Sequence, residues 1–275
     1  MNLPFFKFHG TGNDFIIVCN RDETFIQSVK QRQALISALC KRHVGIGADG
    51  LILLEEDQSS DFRMIYYNAD GQEGSFCGNG GRCVAAYAHM SGFVRKKNMV
   101  FRAFDGKHTA EIVSYSGGDY MVSLGLNDTA APRQISNERY FVDTGSPHLV
   151  LFDDDISAMD VEKKGREIRN SPEWTPGGIN VTFAQIDKKN KLRIRTYERG
   201  VENETLSCGT GVVAAALAAH TFQAPGTDEQ VQRVVDTPGG RMKVSFTPAG
   251  SVQDLITGIR LSGPATFVFR GEMND

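Results

Sequence analysis

A chain of 275 residues with 40% apolar and 23% charged side chains has the makeup of a globular protein long enough for one large domain or two. Its 30 basic and 33 acidic residues leave a net charge of −3, which gives no electrostatic basis for binding nucleic acid or a membrane surface. No apolar run approaches the roughly 20 residues that span a bilayer; "MNLPFFKFHGTGNDF" lacks the basic-then-apolar pattern of a signal peptide, and five cysteines without metal-ligand spacing fit a reduced, cytoplasmic setting.

In chain order, "DFIIVCN" (14–20) reads as a strand and 28–42 as a helix, followed by the β-rich "GLILLEE" and "DFRMIYY". A glycine-rich turn, "SFCGNGGRC" (75–83), opens an Ala-rich helix over 79–91 closed by Gly92, and "TAEIVSY" and "DYMVSLG" make a hairpin. The stretch "LNDTAAPRQIS" (126–136) reads as a boundary. Beyond it come a strand "SPHLVLF", a helix over 157–170, the strands "NVTFAQI" and "KLRIRTY", a second Cys-Gly turn and a helix over 210–221. The core of that helix, "VVAAALAA" (212–219), is apolar on every face, as a helix wrapped by sheet must be. A hairpin "RMKVSFT" and "DLITGIR" follows, and "ATFVFRGEM" is one strand more than this half needs, so it is expected to cross back to the first half.

The two lists are the same list. Cys77-Gly78-Asn79-Gly80 and Cys208-Gly209-Thr210-Gly211 lie 131 residues apart, and other landmarks repeat at nearly that spacing. "FHGTGNDFIIV" faces "FVDTGSPHLVLF" at 133, "GADGLILL" faces "GINVTFAQ" at 131, and "FRMIYYN" faces "LRIRTYE" at 130. The expected fold is α+β: two pseudo-symmetric domains, each a mostly antiparallel sheet wrapped around a central apolar helix.

A cysteine just before a helix meets backbone N–H groups that have no helical partner and the positive end of the helix dipole. Both favour the thiolate, lowering the pKa from about 8.5 toward neutrality. The same amides form an anion site, and glycines let a ligand approach them closely. Two such units could invert a carbon centre, one group removing a proton from one face while the other delivers a proton to the opposite face. No lysine stands in a recognisable pyridoxal-phosphate context, so the chemistry is expected to need no cofactor and no metal. Against this stands the blander reading of Cys77 and Cys208 as buried structural thiols, which their recurrence in the same turn disfavours. Cys19, Cys40 and Cys83 have no such context and read as core; "GIGADG" lacks dinucleotide-fingerprint spacing; "RKKN" (95–98) reads as a solvated turn; Trp174 has no assigned place.

With "FHGTGNDF", "RHVGIGADG", "YYNADGQEGSFCGNGGRC", "GINVTFAQ", "YERGVENETLSCGTGVVAAA" and "DTPGGRMKV" in order, the sequence resembles the diaminopimelate epimerase family from about residue 5 to the end. That resemblance implies a cofactor-independent enzyme interconverting LL- and meso-2,6-diaminopimelate for lysine and cell-wall synthesis, cytoplasmic and homodimeric, with no nucleic-acid or membrane partner. It implies halves at 1–128 plus 264–275 and at 129–263. It makes Cys77 and Cys208 the acid–base pair and His148 a histidine that assists them. It gives the amides of Gly78, Asn79, Gly209 and Thr210 the reacting carboxylate, Glu198 the α-ammonium and Arg199 the distal carboxylate. Asn13, Asn68 and Asn180 would read the distal end. The family's Gly-Asn-Pro-His appears as Gly145-Ser146-Pro147-His148, and some members carry Gln at Gly50, so both positions lose a polar amide at the distal end. The nearest rival, a proline or hydroxyproline racemase, is disfavoured by "CGNG" in place of "CGHG" and by the charged pair Glu198-Arg199. The rival outside enzymology is a thiol-switch binding protein.

Overall fold

In a computed structural model, which describes residues 3–21, 25, 29–223, 230–250 and 255–273, the first half of the chain forms β1 (Leu3–Gly10), β2 (Asn13–Cys19), α1 (Val29–Cys40), β3 (Gly50–Glu55), β4 (Phe62–Asn68), α2 (Gly78–Met90), β5 (Asn98–Ala103), β6 (Gly106–Ser116) and β7 (Asp119–Gly125). The second half forms β8 (Thr129–Ala130), β9 (Arg133–Ser136), β10 (Arg139–Asp143), β11 (Pro147–Phe152), α3 (Val161–Arg169), β12 (Asn180–Ile186), β13 (Leu192–Glu198), β14 (Asn203–Thr205), α4 (Gly209–Gln223), β15 (Val231–Thr237), β16 (Gly240–Thr247) and β17 (Leu255–Met273). Two compact units result, Met1–Leu124 with Gly263–Asp275, and Gly125–Ser262. The helix expected over 28–42 ends two residues early, at Cys40, and residue 28 lies outside the described residues.

The hairpin pairs are antiparallel, but each unit also contains two parallel pairs: β2–β3 and β4–β5 in the first, β11–β12 and β13–β15 in the second. In every case a helix lies between the two strands in sequence. Strands running the same way cannot be joined by a tight turn, so each helix is the crossover. Strands β5 and β15 do not stand out in the sequence because charged and polar residues interrupt "NMVFRA" and "VQRVVDT". The central strands carry continuous buried runs: every residue of β3 and Phe15 to Val18 of β2. Sheets covered by helices on both faces demand such continuous apolar runs. In the first unit, Ile16, Val18, Leu51 and Leu53 pack with Ile36 and Cys40 of α1, while Ile52 meets α2 at Gly80.

Helices α2 and α4 are the enclosed ones. All of Gly211 to His220 is buried in α4, within a cluster that includes Val150, Ile194, Val244 and Leu261. Helix α3 covers the outside of the second sheet and buries only Val161 and Gly165. Its first turn is capped by Asp160, whose carboxylate accepts from the Lys163 N–H at 3.0 Å. A Cβ at Gly165 would sit 2.3 Å from Tyr197 Cβ, so only glycine lets α3 lie flush on β13. Trp174 stacks on Phe141 with ring centroids 5.9 Å apart, in a satellite core beside α3.

The two C-terminal strands expected from the sequence are one strand. Within β17, Thr257 to Ser262 pair with β16 and Thr266 to Met273 pair with β1, both antiparallel. The stretch read as a boundary, 126–136, holds β8 and β9, and β8 pairs with the start of β17. Cys40 and Cys83 are buried, but Cys19, read as core, is only half-buried because it ends β2. No helix among the described residues is long and apolar enough to cross a membrane.

Candidate active site

The site residues named from sequence collect at equivalent places in the two units. In the first, Asn13 opens β2, Gly50 opens β3, Asn68 ends β4 and Cys77 precedes α2. In the second, Ser146 and His148 open β11, Asn180 opens β12, Glu198 ends β13 and Cys208 precedes α4. Each cysteine carbonyl accepts the first helical N–H, from Gly81 at 2.8 Å and from Val212 at 2.9 Å. The N–H groups of the residues between therefore lie outside the helical ladder and point out from the helix start.

In the first unit the turn Thr11-Gly12, both at positive φ, delivers Asn13 to the cysteine. Cys77 is half-buried with extended backbone, and its thiol donates to Asn13 Oδ1 at 3.6 Å. The same oxygen accepts from Asn79 Nδ2 at 3.2 Å, and Asn13 Nδ2 donates to Asp49 Oδ2 at 2.7 Å. Asp49 is tied in turn to Arg42, which also pairs with Asp14. Burial pushes the Asp14 carboxyl up, but hydrogen bonds from Arg42 and Lys7 outweigh it and hold it below the usual carboxylate range. Asn13 is thus fixed from behind by charged groups and faces Cys77 and Asn79 in front.

In the second unit the corresponding network is neutral. Cys208 Sγ lies 3.3 Å from Thr210 Oγ1, which lies 2.9 Å from His148 Nε2. On the far side His148 Nδ1 is 3.2 Å from Thr182 Oγ1, itself 3.2 Å from Thr196 Oγ1. His148 is fully buried, and a Cβ on Gly211 would press on it and on both threonines at 3.1–3.2 Å. His148 therefore reaches Cys208 through a hydroxyl. Hydroxyls and a neutral imidazole can each donate or accept, so this chain can reverse its direction to suit a thiol or a thiolate.

Asn180 is buried and occupied by its own chain: Nδ2 donates to Ser146 Oγ at 2.7 Å and to Pro147 O at 3.0 Å, and Oδ1 accepts from Arg199 N at 2.9 Å. Its visible work is to tie the strand ends carrying Ser146 and Arg199 together, which leaves one oxygen lone pair for a ligand. Glu198 accepts from Thr205 Oγ1 at 3.0 Å, and Arg199 donates to Gly177 O at 3.3 Å. Asn68 is exposed, and its backbone N–H and C=O close the turn to Gln72 and Gly71. At Gly50 a Cβ would lie 2.5 Å from the Tyr66 ring and from Tyr67 O, so a side chain has no room there. Sequence reasoning passed over Arg82, Asp49, Thr182 and Thr196, which hold the named residues in place. A cavity of about 340 Å³ lined in part by Glu138, Phe152, Lys164 and Phe183 contains none of the residues named.

Burial, reinforced by the charge of Arg199, pushes the His148 imidazole down to about 3. A histidine held below its ordinary value of 6.5 favours the native state above that value, because the unfolded chain binds the extra proton. We expect the urea midpoint to fall as the pH drops from 6.5 toward 3, with a limiting slope of about 1.4 kcal/mol per pH unit for that one group. His148→Gln should flatten this slope between about pH 6.5 and 4.5, leaving the contribution of His220, which burial also lowers. An identical slope in the variant would contradict a neutral, buried His148.

A model of the family described as diaminopimelate epimerase matches residues 5–124 and 140–267. Curated relatives bearing that description include one from Flavobacterium psychrophilum, 44% identical over 97% of this chain and 98% of its own length. Another, from Chlorobaculum tepidum, is 41% identical over 95% of this chain and 98% of its own length. Among solved structures, a phenazine biosynthesis protein of the PhzF family from Bacillus anthracis covers both chains fully with a TM-score of 0.77 at 15% identity. A probable proline racemase from Agrobacterium radiobacter covers 99% of this chain and 93% of its own with a TM-score of 0.66, also at 15% identity. At that identity the likeness speaks for the fold: the epimerase fold expected from the sequence is the one observed.

Proposed function

The chain belongs to the diaminopimelate epimerase family, and from that premise we propose that it interconverts LL- and meso-2,6-diaminopimelate by proton transfer between two cysteine sulfurs and the α-carbon. As thiolate, one sulfur removes the α-hydrogen; as thiol, the other returns a proton to the opposite face; the reverse reaction exchanges their roles. Negative charge developing on the α-carboxylate is carried by the amides of Gly78, Asn79, Gly209 and Thr210, and one preorganised donor contributes about 3 kcal/mol. Glu198 takes the α-ammonium and Arg199 the distal carboxylate, with Asn13, Asn68, Asn180, Ser146 and the backbone at Gly50 around the distal end. No pyridoxal phosphate or metal takes part. His148 works as a neutral hydrogen-bond relay, in keeping with burial that disfavours the imidazolium. In the cell the enzyme is a cytoplasmic homodimer supplying lysine and peptidoglycan precursors, and its partner is the small-molecule substrate.

The observation that carries this reading is the duplicated placement of the thiols. Both cysteines stand at the last position before a buried helix, above amides outside the helical ladder, and each hydrogen-bonds a polar side chain from the neighbouring network. The test is solvent exchange. With LL-diaminopimelate in deuterated water, we expect meso product to form carrying deuterium at the inverted carbon, read by NMR or mass spectrometry. Proline, the substrate class of the rival reading, should exchange nothing. Inversion without deuterium, or no exchange at all, would refute the proton chemistry.

A further inference from the structure

Arg82 lies five residues beyond Cys77, inside α2, and is completely buried. A guanidinium keeps its charge in proteins, and a buried charge is expected to be met by an opposite one. Here it is not: among the described residues no carboxylate pairs with Arg82. Its acceptors are all neutral: Asn79 Oδ1 at 2.8 Å, Thr11 Oγ1 and Pro264 O at 3.3 Å, and Gly78 O at 3.5 Å. Burial draws its pKa below the ordinary guanidinium value, and the acidic groups that draw it back are the thiols of Cys83 and Cys77. The cation is therefore held at the base of the first Cys-Gly turn with its charge uncompensated.

We propose that Arg82 is a positioning residue for the reaction, a buried cation behind the carboxylate-binding turn of the first unit that fixes the Gly78–Asn79 peptide and supports the charge developing on the substrate. The inference rests on the reading of that turn as the carboxylate site. With the Gly78 carbonyl directed at the guanidinium, the N–H of the same peptide, that of Asn79, points the opposite way. A guanidinium only donates, so Asn79 must present Oδ1 to it and Nδ2 to Asn13. A carboxylate only accepts, so Asn13 must present Nδ2 to Asp49. Arg82 and Asp49 thereby fix the orientation of both amides around Cys77. The second unit has no counterpart: 131 residues on stands Val213, buried, and the polar group beside that turn is neutral His148. Of the two Cys-Gly turns, only the first has, among the described residues, a buried cation packed behind it.

The test compares Arg82→Met, Arg82→Gln and Arg82→Lys with wild type, reading kcat, KM, deuterium exchange and thermal melting. The wild-type exchange is the control: if it fails, the function proposed above fails, and the role of Arg82 is a separate question. With the control in place, we expect the neutral variants to lose at least about tenfold in kcat while KM moves less than about threefold, because the charge being supported appears in the transition state. The lysine variant should recover most of that loss, which a packing role would not produce. Asn79→Asp leaves Arg82 in place and neutralises it with a carboxylate, so it does not depend on the other variants folding; it too should lose at least about tenfold in kcat. Folded neutral variants within about threefold of wild type, a lysine variant as impaired as the methionine one, or an unaltered kcat in Asn79→Asp would each overturn the proposal.

Discussion

Cys77→Ala and Cys208→Ala are each expected to lower epimerisation by at least about 10³-fold, since removing a positioned acid or base forfeits its full contribution. The fold should survive: Cys77 is half-buried and Cys208 is small, and neither replacement leaves a large void. The more discriminating outcome concerns exchange. Each single-cysteine protein retains one sulfur, which can still remove a proton from one stereoisomer and return a solvent deuteron to the same face. Cys77→Ala should therefore exchange the α-hydrogen of one isomer without inverting it, and Cys208→Ala should do so for the other isomer only. Serine replacements should behave like alanine, because a hydroxyl is far too weak an acid to take over. If either variant exchanged both isomers, or inverted either one at more than a few per cent of the wild-type rate, the two-sulfur scheme would be wrong.

Thr210→Val should cost about 100-fold in kcat, the scale of losing an oriented proton-transfer partner. Valine matches threonine in shape and removes only the hydroxyl that links Cys208 Sγ at 3.3 Å to His148 Nε2 at 2.9 Å. The loss should fall on kcat and leave KM nearly unchanged, because the backbone amide of residue 210 is kept. Thr182→Val cuts the same chain one step further from the sulfur and should cost less than Thr210→Val. Equal activities of Thr210→Val and wild type would mean that His148 is a packing residue with no share in proton handling. The pair of variants thus measures how far the hydrogen-bond chain extends from the thiol.

Much of this architecture was legible in the sequence because duplication writes each local pattern twice. The Cys-Gly turns, the Ala-rich enclosed helices and the apolar strands "FIIV" and "LILL" are local patterns that need no knowledge of the fold. What could not be read is what depends on distant pairing. That β2 and β3 run parallel depends on α1 serving as a crossover, and that 255–260 and 265–273 form one strand depends on β16 and β1 each pairing with part of it. Charged residues are almost never fully buried unpaired, so Arg82 in "GGRC" reads as surface until its acceptors are seen. Thr182 and Thr196 are ordinary strand threonines by sequence, and only the register that sets them opposite each other reveals the chain running to His148. Asn180 carries the resemblance to known members, yet its hydrogen bonds show a brace between Ser146 and Arg199 that no motif announces.

The long last strand has a consequence for how this duplicated chain can be divided. A polypeptide stopping at Gly125 would contain β1 to β7 but lack Thr266–Met273, the antiparallel partner of Leu3–His9. Its first strand would stand as an unprotected sheet edge, open to pairing with other molecules. Although the repeat has its period near the middle of the chain, the halves are no longer severable there. The first copy gave up its independence when the strand that completes it was placed at the far end of the second.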